Sequence, residues 1–260
     1  MCLYDSLQLK RSPIDVHSHF NHGSPFDCAD NEVHLNSLDF MESVYTRYNI
    51  SQVGFSTYAS VLSDKCVAEE NLYLHKLIDE KERAYQWVVI DPRQEETYSQ
   101  AEVMLRHPKV LGIKIHPSAH RYNVLDHAER LFSFANKHGA VILMHPQQVS
   151  EMPSFADKYP DMKLIIAHLG SKEHIDAIER ARHGNIYTDT SGGASSMNNI
   201  IEYAVERVGS EKILFGTDTY SYAFQFGRIA LSALSVEDKE RILWGNAMTL
   251  FPKAFCSPDN

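Results

Sequence analysis

Short apolar runs alternate along this chain with longer stretches of helical periodicity. The apolar runs begin near Ile14, Ser51, Tyr85, Val110, Ala140, Lys163, Asn185 and Lys212. They are almost continuously apolar, as strands of a parallel sheet are when helices cover both of its faces. The pattern therefore predicts eight parallel strands.

The stretches between these runs place apolar side chains three or four residues apart, which is typical of amphipathic helices. They span 35–48, 68–82, 98–106, 128–138, 175–181, 198–208 and 223–234. Near the C-terminus, Ser235 is placed to cap a helix that Gly245 is predicted to end, with Asn246 starting the last one. Right-handed strand–helix–strand units repeated in this way close into a (β/α)8 TIM barrel.

Length and charge narrow the class of protein. The chain has 260 residues, of which 43% are hydrophobic, so we expect one barrel domain over residues 1–260. The net charge of -9 argues against a nucleic-acid partner. No apolar run reaches the roughly 18 residues of a membrane helix, so we expect no membrane partner. Self-association into a homo-oligomer stays open.

The N-terminus and the cysteines indicate the compartment. The first six residues carry neither the basic flank nor the apolar stretch of a signal peptide. The cysteines show no Cys-x-x-Cys spacing and stand at Cys2, Cys28, Cys66 and Cys256. Reduced thiols explain this scatter better than disulfides or a zinc knot do. We therefore expect a cytoplasmic protein.

Polar metal-binding residues follow several of the predicted strands. His17 and His19 are two residues apart at the end of the first strand, so both side chains point the same way. His145 follows the fifth strand, His168 the sixth and Asp218 the eighth. The C-terminal strand ends of a parallel barrel carry its active site, so these five side chains are predicted to share one metal-binding site.

The donor set indicates the ion. Imidazole nitrogens and a carboxylate suit a divalent transition metal, and we expect Zn²⁺, with Mn²⁺ or Fe²⁺ as alternatives, as one or two ions. Taken singly, each histidine is more often a hydrogen-bonded core or loop residue, and Asp218 can simply cap the next segment. The shared position of all five after apolar runs favours the metal site.

The chain resembles the amidohydrolase superfamily of metal-dependent hydrolases, in the branch that includes aminocarboxymuconate-semialdehyde decarboxylase. The matching stretches are DVHSH (15–19), GIKIHP (112–117), MHP (144–146), AHLG (167–170), GTD (216–218) and GNA (245–247). The resemblance implies metal ligands at His17, His19, His145 and Asp218. It also implies that His168 is a ligand of a second metal or an acid–base group, and that Asp218 accepts a proton from the attacking water.

Lys114 and His116 lie two residues apart on the fourth predicted strand, on one face. In some members of the superfamily a lysine here is carboxylated and bridges two metals. An ammonium that binds a substrate carboxylate, or a structural role, are the alternatives for Lys114. His116 is a candidate substrate contact, with a buried hydrogen-bonded histidine as its alternative.

Other strand ends supply weaker candidates. Arg93 follows the third strand and can clamp an anion, although a surface salt bridge is the commoner explanation. Tyr58 follows the second strand and is a further candidate substrate contact. Turn chemistry alone explains Ser191, although its hydroxyl can also reach a ligand. The polar segment 21–32, which contains His22, is predicted to lie over the barrel mouth.

Three functions are compatible with these residues. The first is a hydrolase of a small-molecule ester, lactone, amide or phosphoester, in which the metal activates water and Asp218 and His168 move protons. The alternative is a non-oxidative decarboxylase of a small carboxylic acid, with a histidine such as His168 delivering a proton to carbon. The third is a binding protein on a barrel that has lost its activity, and the intact set of ligands argues against it.

Overall fold

The computed structural model describes residues 10–27 and 36–256, and within them the strands form one parallel barrel. The strands pair in chain order from the first to the eighth. They are Ile14–Phe20 (β1), Gln52–Thr57 (β2), Ala84–Val89 (β3), Val110–Ile115 (β4), Val141–Met144 (β5), Lys163–Ile166 (β6), Ile186–Asp189 (β7) and Ile213–Leu214 (β8). The Val16 amide donates to the Phe215 carbonyl at 3.0 Å and joins β8 to β1. The predicted (β/α)8 barrel is confirmed.

Helices follow the strands and cover the outside of the barrel. They are Leu38–Arg47 (α1), Tyr58–Leu62 (α2), Val67–Glu80 (α3), Glu95–Met104 (α4), Pro117–His120 (α5), Val124–Lys137 (α6), Met152–Lys158 (α7), Lys172–Arg180 (α8), Ile200–Val208 (α9), Tyr222–Ala230 (α10), Val236–Glu240 (α11), Asn246–Leu250 (α12) and Pro252–Phe255 (α13). Each predicted helix is present with shifted ends. The unpredicted α2, α5, α7 and α13 are too short to show a helical period. None of the described helices is long and apolar enough to cross a bilayer.

Helix ends show where local sequence rules hold and where they fail. The Ser235 hydroxyl accepts from the Asp238 amide and caps α11, as predicted. Gly245 does not end a helix, because its φ of -61° and ψ of -42° are helical and the π-helical turn Arg241–Gly245 runs straight into α12. The Asn246 side chain donates to the carbonyls of Ser210 and Ile213, both at 2.7 Å, and this tertiary anchor holds the continuous path.

An apolar plug fills the N-terminal half of the barrel. Val16, Trp87 and Leu143 belong to one buried cluster with Phe251 and Phe255 from the C-terminal segment. The Phe255 ring lies 4.8 Å from that of Tyr85, and the Phe251 ring lies 5.6 Å from that of Trp87. Packing closes this end of the barrel. The open space lies at the opposite mouth, where the polar C-terminal ends of the strands meet.

An irregularity in β1 sets the direction of its histidines. Between Asp15 and Ser18 the pairing advances three residues on β1 but only two on β2. The extra residue is a bulge, and it reverses which alternate side chains face the barrel axis. Val16 therefore packs into the apolar plug, while His17 and His19 face the mouth.

Candidate active site

A cavity of about 280 Å³ opens at the C-terminal ends of the strands. Its described lining is His17, His19, Tyr58, Val61, Leu62, Lys114, His116, His145, His168, Asp218 and Tyr220. The floor is polar and buried, while the two tyrosines, Val61 and Leu62 form an aromatic and aliphatic wall. The structure thus brings together the five predicted metal-binding residues and three of the four predicted substrate-binding ones.

The Asp218 carboxylate lies at the centre of the histidines. Its Oδ1 is 3.1 Å from His19 Nε2 and 3.6 Å from His17 Nε2, and its Oδ2 is 4.0 Å from His168 Nε2. Ligand atoms of His17, His168 and Asp218 all lie within 4.8 Å of one another, close enough to hold one metal ion. The His145 ring centroid is 5.1 Å from that of His168, so His145 borders the same space.

The outer hydrogen bonds of the β1 histidines fit a metal site. His17 Nδ1 is 2.9 Å from Asp189 Oδ2, and His19 Nδ1 is 3.0 Å from the Ser56 carbonyl. Each contact occupies the ring nitrogen that points away from the cavity and leaves Nε2 directed into it. Metal-ligating histidines characteristically bind a carboxylate or a carbonyl in this way. The donors present therefore suit a divalent cation.

Backbone strain helps to direct the ligands. His168 has a φ of +63°, Asp218 of +53° and Thr219 of +64°, all in the left-handed region. A β-branched residue is a genuine outlier there, and such strain persists only where surrounding bonds hold it. The Thr219 hydroxyl provides two of these bonds, since it accepts from the His19 amide and donates to the His19 carbonyl, both at 2.9 Å. The end of β8 is thereby tied to the end of β1.

A second pair of carboxylates lies behind the ligands. Asp15 accepts from the His17 amide, the Thr217 amide and the Thr217 hydroxyl. Burial raises the pKa of Asp15 to about 7. Asp189, at the end of β7, contacts His17, Ser191 and the His168 amide. Neither residue was assigned a role from the sequence. Asp15 lies within the apolar strand β1 and Asp189 is the last residue of β7, and a carboxylate in such a position was the signal that could have identified them.

Burial and mutual contact set the charges of the site. Burial, followed by the Lys114 ammonium, lowers the pKa of His17 to about 3 and that of His145 to about 3, so both imidazoles are neutral near pH 7. Burial alone would raise the pKa of Asp218, but the hydrogen bond with His19 brings it well below its usual range. The site thus offers neutral nitrogens and an ionised oxygen, the forms that bind a metal.

Lys114 is the one cationic side chain among the described lining residues. It is 1% exposed, and burial lowers its pKa to about 8. Its Nζ lies 2.8 Å from His17 Nε2. This position fits either a cation that meets a substrate anion or a carboxylated lysine near the metal ligands, so both interpretations from the sequence stay open here.

His116 lines the cavity beside His145. The two rings stack with centroids 3.9 Å apart, and His116 Nδ1 accepts from the Ala119 amide at the start of α5. With Nδ1 occupied as an acceptor, the neutral ring carries its hydrogen on Nε2. Burial, followed by the neighbouring His145, brings the pKa of His116 far below its ordinary value. His116 therefore offers a neutral donor for a substrate oxygen.

Arg93 lies outside the described lining of the cavity. Its guanidinium donates to both oxygens of Asp91, to Asp64 and to the His120 carbonyl. These partners correct the expectation of a substrate clamp, because they satisfy the guanidinium and hold it away from the cavity. The salt-bridge alternative describes Arg93 better.

The predicted loop over the mouth is described up to residue 27, and its remaining part lies outside the described residues. Within the described part, His22 Nε2 is 2.7 Å from Glu70 Oε2, and its ring stacks on Tyr73 at 3.9 Å. His22 thus anchors the loop to α3 and is not part of the cavity lining. Cys66 and Cys256 are free thiols, and Cys2 and Cys28 lie outside the described residues.

A family model described as Amidohydrolase matches residues 14–253. The match spans most of the chain, which therefore belongs to the amidohydrolase family, as its resemblance to that superfamily predicted. The described barrel is that of an enzyme of this superfamily. A comparison with curated proteins gave no significant match.

Several solved structures share the fold over nearly their whole length. The 2,6-dihydroxybenzoate decarboxylase from Rhizobium has a TM-score of 0.72 at 13% identity, covering 93% of this chain and 99% of that chain. The 5-carboxyvanillate decarboxylase from Sphingomonas paucimobilis has 0.73 at 13% identity, covering 93% and 99%. A dihydroxybenzoic acid decarboxylase from a Polaromonas species, with manganese and 2-nitroresorcinol bound, has 0.71 at 16%, covering 93% and 97%. At these identities the comparison establishes the fold.

Proposed function

We propose that residues 1–260 form one domain that catalyses metal-dependent, non-oxidative decarboxylation of a small aromatic carboxylic acid. The observation that carries the proposal is a buried lysine, Lys114, at the floor of a cavity whose walls are aromatic and aliphatic. The decarboxylase activity of the structural neighbours supports it. The hydrolase expected first from the sequence has less support, since these neighbours favour the alternative.

The size of the cavity limits the substrate. Ligand pockets commonly measure about 300–1,000 Å³, so a cavity of about 280 Å³ suits a molecule with a single ring. Tyr58 and Tyr220 supply faces on which a planar ring can stack. A carboxylate on that ring finds the Lys114 ammonium as its counter-charge, and His116 Nε2–H is placed to donate to a second oxygen.

We assign His17, His19, His145 and Asp218 to hold the metal. A ring nitrogen of His168 also lies within 4.8 Å of ligand atoms of His17 and Asp218, and we reserve this residue for proton transfer. A divalent ion bound there orients an oxygen-bearing substrate and withdraws charge from it. Manganese in the Polaromonas structure makes Mn²⁺ a candidate beside the Zn²⁺ expected from the sequence. The buried contacts of Asp15, Asp189 and Thr219 keep these side chains in place before any ligand arrives.

The chemical step breaks the bond between the ring carbon and the carboxyl carbon. The electron pair stays on the ring carbon, a proton is added there, and CO2 leaves. We assign the proton to Nε2 of His168, which faces the cavity 4.0 Å from Asp218 Oδ2.

The test compares two reactions on one protein. Metal is removed with a chelator and restored as Mn²⁺, Zn²⁺ or Fe²⁺, and CO2 release from hydroxylated benzoates is measured beside hydrolysis of aryl esters, lactones and amides. We expect CO2 release that depends on the added ion. Hydrolysis without CO2 release from any of the acids would reinstate the hydrolase.

Lys114→Met separates binding from chemistry. A hydrogen bond to a charged group contributes about 1.5–3 kcal/mol, so the KM for the acid should rise roughly 10- to 150-fold with metal content unchanged. Lys253→Met, on the exposed surface, is the matched control for loss of one charge. Loss of metal from the Lys114 variant would support the bridging carbamate instead.

A further inference from the structure

The Ser191 hydroxyl, just beyond β7, lies between two imidazoles and a carboxylate. Its Oγ is 2.9 Å from His17 Nδ1, 2.9 Å from His168 Nδ1 and hydrogen-bonded to Asp189 Oδ1. Ser191 and Asp189 are fully buried. The two contacts of Ser191 with the imidazoles have no part in the metal and substrate roles described above.

Counting hydrogens fixes the direction of each bond. Asp189 Oδ1 already accepts from the His168 and Ser191 amides, which are donors only, at 3.1 and 2.9 Å. An ionised carboxylate has no hydrogen to donate, so Oδ1 also accepts the single hydrogen of the Ser191 hydroxyl. The two remaining contacts of the Ser191 oxygen are then acceptor contacts, so the hydrogens come from the rings of His17 and His168.

We propose that Asp189 and Ser191 are positioning residues that hold His17 and His168 together in the Nδ1–H tautomer. Both rings then present Nε2 to the cavity at the same time. For His17 this is the nitrogen assigned to the metal. For His168 it is the nitrogen that takes up the catalytic proton, which forms the imidazolium, and then delivers it, while Nδ1 keeps its own hydrogen. The last assignment rests on the proposed decarboxylation, whereas the tautomers rest only on the hydrogen bonds.

Neighbouring bonds keep the pair of residues in place. The Gln225 side chain donates to the Gly192 carbonyl at 2.9 Å, and Arg228 donates to the Thr190 carbonyl at 2.7 Å. The Ser195 hydroxyl also bonds the Thr190 carbonyl, at 2.7 Å, without touching an imidazole. Ser195→Ala is therefore a matched control, since it removes a buried hydroxyl from the same loop.

The direct test is the tautomer itself. Long-range ¹H–¹⁵N spectra of ¹⁵N-histidine-labelled, metal-free protein distinguish Nδ1–H from Nε2–H rings, and His17→Gln and His168→Gln variants assign the two signals. We expect both residues as Nδ1–H in the wild type and in Ser195→Ala. A wild-type spectrum with either ring as Nε2–H would overturn the proposal without the need for any variant.

Asp189→Asn is the variant with the most specific expected change, a reversal of the His17 tautomer. Three donors surround Oδ1, so the amide oxygen takes that side and the NH2 group faces His17 Nδ1. His17 must then accept, which moves its hydrogen to Nε2, as happens when the aspartate beside a catalytic histidine in serine proteases becomes asparagine. We expect an Nε2–H signal for His17 and about 10- to 100-fold weaker Mn²⁺ binding in competition with a chelating dye.

Ser191→Ala should separate the two histidines. His168 loses its acceptor, whereas His17 keeps Asp189 Oδ2 at 2.9 Å. We expect a changed His168 spectrum, Mn²⁺ affinity within about threefold of the wild type, and a kcat lowered about 10- to 100-fold at unchanged KM. Unchanged spectra in both Ser191→Ala and Asp189→Asn would refute the proposal. Nδ1–H tautomers in a protein that releases no CO2 would instead refute only the decarboxylation.

Discussion

Replacing Gly192 with alanine tests how closely the loop after β7 packs against His168. Gly192 has a φ of +71°, and a Cβ built there would lie 2.8 Å from His168 Nδ1 and 3.4 Å from Asp218 Oδ2. The substitution therefore imposes two separate costs. One is the left-handed backbone of an L-residue, and the other is displacement of the imidazole that we assign to proton transfer.

The structure gives the size of both effects. An alanine in the left-handed region costs about 1–2 kcal/mol. Ordinary contacts between such atoms are about 3.5 Å, so the His168 ring must move by roughly half an ångström or more. A misplacement of about 1 Å costs about a hundredfold in rate, so we expect kcat to fall about tenfold. With the contact included, the free energy of unfolding should fall by about 1–3 kcal/mol.

Gly193→Ala is the matched control. Gly193 has a φ of -76°, and its added Cβ would meet only Tyr220 Cε1, at 3.9 Å. Urea unfolding of both variants gives the stability, and CO2 release from the best acid substrate gives kcat. We expect the Gly193 variant to match the wild type within about 0.5 kcal/mol. Equal effects of the two substitutions in both assays would refute the close packing inferred at His168.

Three further predictions follow from other parts of the molecule. Asp218→Asn should retain part of its metal, measured by mass spectrometry, and lose about a hundredfold in turnover, because the site loses the negative charge of one assigned ligand. Near-normal turnover at full metal content would show that the reaction does not need this charge. Phe255→Ala should lower the free energy of unfolding, measured by urea denaturation, by about 3–5 kcal/mol, because Phe255 is 5% exposed in the apolar plug. Phe40→Ala is the control and should lower it little, because Phe40 is 52% exposed. Similar losses in the two variants would contradict the plug. Burial holds the pKa of His120 in the folded protein below its ordinary value of about 6.5. His120 therefore does not affect the free energy of unfolding above that pH. Below it the unfolded chain takes up a proton that the folded protein does not, so the free energy of unfolding falls by up to about 1.4 kcal/mol per pH unit. His120→Gln should reduce this dependence of the free energy of unfolding on pH, whereas His183→Gln, on the exposed surface, should leave it unchanged. The same pH dependence in both variants would show that His120 does not cause it.

Much of the fold and of the site's composition is determined by local sequence. Apolar runs bounded by polar residues identified all eight strands, because a strand buried on both faces must be apolar at successive positions. The barrel closure then followed, and with it the meeting of His17, His19, His145 and Asp218 at one mouth. Alternation along β5 places Leu143 in the plug and His145 at the cavity, as the pattern alone predicts.

Tertiary contacts decided the direction of the remaining side chains. Strict alternation from Val16 would turn His17 out of the barrel, and only the bulge against β2 turns it in. Alternation from Ala167 would do the same to His168, which reaches the cavity through its left-handed φ. Arg93 was expected at the substrate, but its ion pairs with Asp91 and Asp64 hold it elsewhere.

The physical reason is the distance along the chain over which each feature is specified. Hydrophobic periodicity needs only residues within one strand or helix, so the sequence alone determines the eight strands and what stands at their ends. Strand register, backbone strain and hydrogen-bond direction depend on partners far apart in the chain. Ser191 is 174 residues from His17, and Thr219 is 200 residues from His19. Only the folded barrel brings these groups together, and so only the tertiary structure decides which nitrogen each histidine presents.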